Sequence, residues 1–232
     1  MDEAEIELRE EIIRTGIRMN ELGINQGTSG NISVRWQEGI LLTPTGIPYE
    51  ELNPEDICYQ NWEGEVEGRL ERSSEWRFHL AIQKNRKDVN AVVHTHSNHA
   101  TALAIQEMEI PAIHYMVAAG GGPNIRCAPY ATFGTEELSQ HALKALENRK
   151  CCLLAHHGVI ATGSSISNAL WLAGEVETLA KQYLLILSTG KEAKLLSGDE
   201  IERVRIKMSD YGLKTRDQKN SGSVNPSLKP SQ

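Results

Sequence analysis

The run Ala91-Val92-Val93-His94-Thr95-His96 holds the residues best suited to chemistry in this chain. Side chains alternate faces along a β-strand, so His94 and His96 share a face, and two imidazoles so placed can hold one metal ion. A lone His-x-His pair is a weak signal, because histidines at strand ends also serve as hydrogen-bonded structural groups. Two further stretches strengthen it. A second apolar run, Cys151-Cys152-Leu153-Leu154-Ala155, is closed by His156-His157-Gly158, and Ser73-Ser74-Glu75 opens an amphipathic helix upstream. Two buried strands ending in histidine, with one carboxylate at a helix start, supply three nitrogens and an oxygen for a tetrahedral divalent cation. His156 and His157 would point to opposite faces of a strand, so one of them is the ligand, and periodicity leaves the choice open.

Phosphate recognition needs N–H and hydroxyl donors that converge without bulk. Three segments qualify: Thr28-Ser29-Gly30-Asn31, Thr43-Pro44-Thr45-Gly46, and Ser73-Ser74 at a helix N-terminus, whose dipole favours an anion. Each alone is more often an ordinary turn or cap. Glu75 in a first turn also serves simply by favouring the dipole, but beside the two serines it would meet the sugar of a phosphate gripped there. Tyr115 and Tyr211 are phenols able to donate protons, although most tyrosines are packing residues. His79, His99, His114 and His141 read as structural or exposed.

The elements that must position these residues follow from spacing. Glu3 to Leu22 reads as a helix stopped by Gly23. Ile32 to Trp36 and Gly39 to Thr45 read as a hairpin, and Ile57 to Val66 as another, turning near Asn61 to Gly64. Ser74 is the expected N-cap of the helix carrying Trp76, Phe78, Leu80 and Ile82. Strands and helices then alternate: strand Asn90 to Thr95, helix Asn98 to Gln106, strand Ile125 to Ala128, helix Thr135 to Asn148 and strand Lys150 to Ala155. Val159 to Thr162 returns as a hairpin mate, followed by helices Ser167 to Leu187 and Asp199 to Tyr211. Early hairpins bracketed by helices predict one α/β domain, a mostly antiparallel central sheet with helices on both faces, an α/β/α sandwich. The domain is expected over residues 1–213, and the polar segment 214–232 is expected to be a disordered tail.

With 232 residues and a formal charge of −7, the chain can bury a sizeable core and lacks the basic excess that a nucleic-acid backbone requires. Its four cysteines have no zinc-ribbon spacing and read as reduced thiols. The acidic start and the lack of a long apolar run predict no signal peptide, no membrane span and a cytoplasmic location.

Taken together the motifs resemble those of the class II aldolase and epimerase family. The resemblance runs through Asn25-Gln26-Gly27-Thr28 with Gly30-Asn31, Thr43-Pro44-Thr45-Gly46-Ile47-Pro48-Tyr49-Glu50 and Ser73-Ser74-Glu75-Trp76-Arg77-Phe78-His79. It continues through His94, Pro111-Ala112-Ile113-His114-Tyr115-Met116, Ala128-Pro129-Tyr130-Ala131-Thr132-Phe133-Gly134, His156-His157-Gly158 and Tyr211-Gly212-Leu213. It implies one Zn2+ per subunit, with Mn2+ or Co2+ as alternatives, held by His94, His96 and His157, with Glu75 as a fourth ligand that moves off to act as acid and base. It further implies that Thr28, Asn31, Thr45, Gly46, Ser73 and Ser74 bind the phosphate of a small sugar substrate. A homotetramer with active sites between subunits is also implied, Tyr115, Phe133 and Tyr211 crossing the interface.

The implied activity is reversible cleavage of a ketose 1-phosphate of the L-fuculose type into dihydroxyacetone phosphate and a short aldehyde. Relatives of this kind also act on 5-deoxyribulose 1-phosphate or 5-methylthioribulose 1-phosphate, and substitutions near the aldehyde can switch between them. Epimerising relatives carry aspartate where this chain has Glu75, a methylthioribulose-phosphate dehydratase needs a further glutamate without a clear candidate here, and an adducin-like binding module would not need the histidines. Ser29 departs from the pattern, where alanine is expected, and the tail carries no family motif.

Overall fold

Among the described residues the chain forms eight strands: β1 (Asn31–Trp36), β2 (Gly39–Leu42), β3 (Cys58–Asn61), β4 (Val66–Glu67), β5 (Ala91–Thr95), β6 (Cys127–Ala128), β7 (Cys151–Leu154) and β8 (Gly158–Gly163). In the computed structural model, which describes residues 1–209, they build one sheet ordered β4-β3-β2-β1-β5-β8-β7-β6. All pairings are antiparallel except β6 with β7 at one edge. Among the described residues six α-helices accompany them: α1 (Glu3–Glu21), α2 (Trp76–Asn85), α3 (Asn98–Ile105), α4 (Glu136–Ala145), α5 (Ile166–Leu187) and α6 (Gly198–Ser209).

The two-residue period of the central strands divides the core. Ala91 and Val93, Cys151 and Leu153, and Val159 and Ala161 face one side, where they meet Ile12 of α1, Leu103 of α3 and Val176 of α5. Val92, Cys152, Leu154 and Ile160 face the other, against Phe78 and Ile82 of α2 and Leu138 and Ala142 of α4. Strands covered on both faces must be apolar at successive positions, which is why these segments read as unbroken runs. Each fully buried aliphatic side chain contributes about 1.5–3 kcal/mol. The expected single-domain α/β/α sandwich is the observed architecture, and no helix among the described residues is long and apolar enough to cross a membrane.

Differences fall at element ends. Helix α2 begins at Trp76 with Glu75, not Ser74, at the N-cap position, and the Glu75 side chain makes no cap bond because it is committed elsewhere. The expected strand from Ile125 shortens to β6, since Ile125 forms only an isolated bridge with Ile110. Tyr115–Gly120 is a short 3₁₀ helix that periodicity did not predict. His156 and His157 are not strand residues: they sit in the turn between β7 and β8, with His156 at φ 53°. Tyr211 and the segment 214–232 lie outside the described residues.

Gly158, the first residue of β8, is squeezed between β5 and the histidines. A Cβ there would stand 2.3 Å from the Thr95 carbonyl oxygen and 2.9 Å from Cδ2 of His96. Backbone on one side and a packed ring on the other cannot both yield cheaply. Gly158→Ala should therefore lower stability by about 1–3 kcal/mol, the usual cost of overpacking, seen as a lower urea midpoint with an unchanged slope.

Candidate active site

Glu75, His94, His96 and His157 bring one ligand atom each to a common point, all within 4.8 Å of one another. Each arrives by a different route. His94 lies mid-sheet, opposite Asn31 of β1 and Ile160 of β8, and is fully buried. Its Nδ1–H donates to the Val159 carbonyl at 2.8 Å, so the Nε2 lone pair faces the cluster. His96 stands one residue past β5, with Nε2 3.0 Å from His94 Nε2. Two nitrogens each about 2 Å from a tetrahedral ion stand roughly 3.3 Å apart, close to this spacing.

His157 reaches the cluster because the turn reverses the chain at His156, whose left-handed φ is uncommon outside glycine and asparagine. His157 Nε2 then lies 3.1 Å from Glu75 Oε1, while the half-exposed ring of His156 turns toward Glu107, 3.6 Å away. Glu75 is buried, with Oε2 2.9 Å from the Asn31 amide nitrogen and 3.1 Å from His94 Nε2. Its Oε1 accepts no hydrogen bond despite the nearness of His157. A buried oxygen with an uncommitted lone pair among imidazole nitrogens fits a divalent cation.

Electrostatics agree. Burial opposes ionisation of Glu75, yet the nearby imidazoles of His94 and His157 outweigh it and hold the carboxyl well below the usual range. Burial, then repulsion from His94 and His157, pushes His96 down to about 3, against the pull of Glu75. An anionic carboxylate beside a neutral imidazole is the protonation state metal binding requires.

Beside the cluster lies a cavity of about 380 Å³, the lower part of the range for small-ligand sites. Its walls include Glu75, His96 and His157 together with Thr28, Asn31, Thr45, Gly46, Ser73 and Ser74. The loops are tied to one another: Ser73 N–H donates to the Thr43 carbonyl at 3.0 Å, and Thr45 N–H to Glu71 at 3.0 Å. Gly30, at φ 69°, lets the first loop pass His94, whose carbonyl oxygen would lie 2.6 Å from any Cβ. Donors from three segments and the metal-type cluster thus open into one hollow.

Phe133 lines this hollow and is exposed, as is Tyr130, which the sequence reading did not single out and which only its Ala-Pro-Tyr-Ala-Thr-Phe-Gly setting could have flagged. Tyr115 is not brought to the cluster of its own chain: it lies half exposed along a separate groove with Trp171 and Met208. Of the histidines read as structural or exposed, His99 bonds Glu177 at 2.6 Å, His141 bonds the Pro129 carbonyl at 3.2 Å, and His114 accepts from the Met116 N–H at 3.2 Å. His79 is fully buried.

Residues 10–184 match the family described as the class II aldolase and adducin N-terminal domain. L-fuculose phosphate aldolase of Escherichia coli (strain K12) is 53% identical over 207 residues, 89% of this chain and 96% of that protein. The 5-methylthioribulose-1-phosphate/5-deoxyribulose-1-phosphate aldolase of Rhodospirillum rubrum is 51% identical over 212 residues, 91% of this chain and 96% of that protein. Among solved structures, an L-fuculose 1-phosphate aldolase superposes with a TM-score of 0.85 at 38% identity, covering 88% of this chain and 96% of its own.

The ligand geometry makes a direct prediction. Purified protein should carry about one divalent ion per chain by elemental analysis. His96→Ala should lose most of it, and full occupancy in that variant would remove His96 from the ligand set.

Proposed function

The chain belongs to the class II aldolase family and is an aldehyde-lyase, and we propose that it cleaves L-fuculose 1-phosphate or a closely similar ketose 1-phosphate, reversibly, into dihydroxyacetone phosphate and a short aldehyde. The observation that carries this reading is the shared hollow, in which a three-histidine, one-carboxylate cluster adjoins converging phosphate-type donors. We take the metal to be zinc, the assembly to be a homotetramer with sites between subunits, and the compartment to be the cytoplasm. Imidazole-rich tetrahedral donor sets favour zinc, and the free thiols Cys58, Cys127, Cys151 and Cys152 suit a reducing setting.

In this reading Thr28, Asn31, Thr45, Gly46, Ser73 and Ser74 grip the phosphate, and the helix start after Ser74 adds its dipole. That anchor sets the first three sugar carbons beside Glu75. A divalent cation held by His94, His96, His157 and Glu75 supplies Lewis-acid stabilisation of the negative charge that develops as the bond between the third and fourth carbons breaks. Glu75, once it has taken up a proton, delivers it to the carbon set free, a task suited to a carboxyl whose proton affinity changes with its neighbours. Tyr115 of the partner subunit handles the proton on the aldehyde oxygen, and Tyr211 assists there. Phe133 borders the aldehyde side, where substitutions would select among substrates. The 51% identity to the methylthioribulose/deoxyribulose aldolase supports a second reading, the same bond cleaved in 5-deoxyribulose or 5-methylthioribulose 1-phosphate. Glu75 in place of aspartate favours aldol cleavage over epimerisation.

Incubation with a panel of ketose 1-phosphates, following dihydroxyacetone phosphate release, tests the proposal. L-fuculose 1-phosphate should give the highest kcat/KM, and no release from any of them would sink the aldolase reading. Glu75→Gln should cut turnover by about two to four orders of magnitude while phosphate binding survives.

The intersubunit site has its own test. His96→Ala and Tyr115→Phe, each inactive alone, should partly restore activity when co-refolded, because some interfaces then pair an intact cluster with an intact phenol. No gain at any mixing ratio, with mixed tetramers verified by mass, would place Tyr115 in its own subunit's site or outside catalysis.

A further inference from the structure

Behind Glu75, the seam between β1 and α2 holds a line of buried polar side chains. Asn31 and Ser33 share one face of β1, while Glu75, His79 and Gln83 recur every fourth position from the start of α2. Two strand residues advance about 6.7 Å and four helical residues about 6 Å, so the two rows stay level. Asn31 is 5% exposed, and Ser33, His79 and Gln83 are fully buried. Gln83 Nε2 lies 2.6 Å from Ser33 Oγ, Ser33 Oγ 2.7 Å from His79 Nδ1, and His79 Nε2 2.6 Å from Asn31 Oδ1. Asn31 Nδ2 completes the line, 2.9 Å from Glu75 Oε2.

The chemistry of the end group leaves one direction for every proton. An ionised carboxylate only accepts, so Asn31 must turn its NH2 to Glu75 and its carbonyl to His79. A carbonyl also only accepts, so the His79 proton sits on Nε2. Nδ1 is then an acceptor and takes the Ser33 hydroxyl proton, and Ser33 accepts in turn from Gln83. The reverse order would set the Asn31 carbonyl against the Glu75 carboxylate in a buried place, two acceptors with no proton between them.

We propose that His79 is a positioning residue: by donating from Nε2 it locks the Asn31 amide with its NH2 toward Glu75, fixing the carboxylate within the cluster and leaving the second Asn31 N–H for an anion in the adjoining hollow. Burial pushes the His79 imidazole down to about 3, so protonation does not scramble the order near neutral pH. The part concerning the anion rests on the reading of Asn31 as a phosphate donor, and the part concerning the amide does not.

Two measurements on the full-length, metal-loaded protein test this. Long-range proton–nitrogen correlation of 15N-histidine-labelled protein, with the His79 signals assigned by their loss in His79→Gln, should show Nε2 protonated and Nδ1 bare. The opposite tautomer overturns the proposal, whatever any variant does. Inorganic phosphate, titrated by calorimetry, should bind His79→Leu about tenfold more weakly than the wild type, the scale of one hydrogen bond to a charged group. His79→Gln, which keeps an N–H near the Nε2 position, should recover to within about threefold. Unchanged binding in both variants, or equal weakening in both at matched stability, would reduce His79 to a packing residue. Failure of the wild type to bind phosphate would count against the phosphate pocket itself, and the tautomer would then decide the role of His79 alone.

Discussion

An ionised carboxylate can stay buried only if enough partners meet it, and Glu75 imposes that requirement on the rest of this fold. Taking such a charge out of water costs several kcal/mol even after relaxation. Asn31, His94 and His157 compensate from β1, from β5 and from the β7–β8 turn. The sheet order makes this feasible: β1, β5 and β8 are consecutive, and Asn31, His94 and Ile160 lie across from one another in register. A slip of one residue in β5 would turn His94 to the opposite face and take its ring away from the carboxylate.

Helix α2 is held at both ends by the same strand. From its start to Gln83 the polar seam ties the helix to Asn31 and Ser33, and at its end Arg35 of β1 donates to the carbonyls of Gln83, Arg86 at 3.1 Å and Val89 at 3.0 Å. Those carbonyls belong to the last turn and just beyond it, where a cation also favours the helix dipole. Between the two anchors the helix presents Phe78 and Ile82 to the sheet, and the Phe78 ring meets the edge of His94 with centroids 5.3 Å apart. Apolar packing fixes how far the helix stands from the sheet, and the polar anchors fix where it lies along β1.

Much of this was legible in the residues. The unbroken apolar runs at 91–95 and 151–155 announced strands covered on both faces, and their flanking histidines announced the cluster. Four things were hidden for physical reasons. The choice between His156 and His157 depends on a left-handed turn residue that carries no glycine or asparagine to mark it. The shared burial of Ser33, His79 and Gln83 was invisible because each looks like the polar side of its own element, and they turn inward only when strand and helix are set together. The N-cap position of α2 falls on Glu75 and not on Ser74, and only three-dimensional placement shows that side chain leaving the cap unmade. Tyr115 sits on a 3₁₀ helix away from the cluster, a separation no spacing rule conveys.

The turn that carries His157 gives the molecule a clasp. Its three histidines and one carboxylate come from parts of the chain joined only through the non-local pairings of β1, β5 and β8, so the ligand set exists only after those pairings have closed. A cation captured there works as a reversible cross-link between distant segments, opposing the separation of β5 from β8 much as a bridge of two sulfurs would. The outer strands β3, β4 and β6 contribute nothing to that clasp. Amide hydrogens at the centre of the sheet should therefore gain most protection from exchange when the ion is present, and those at the two edges least.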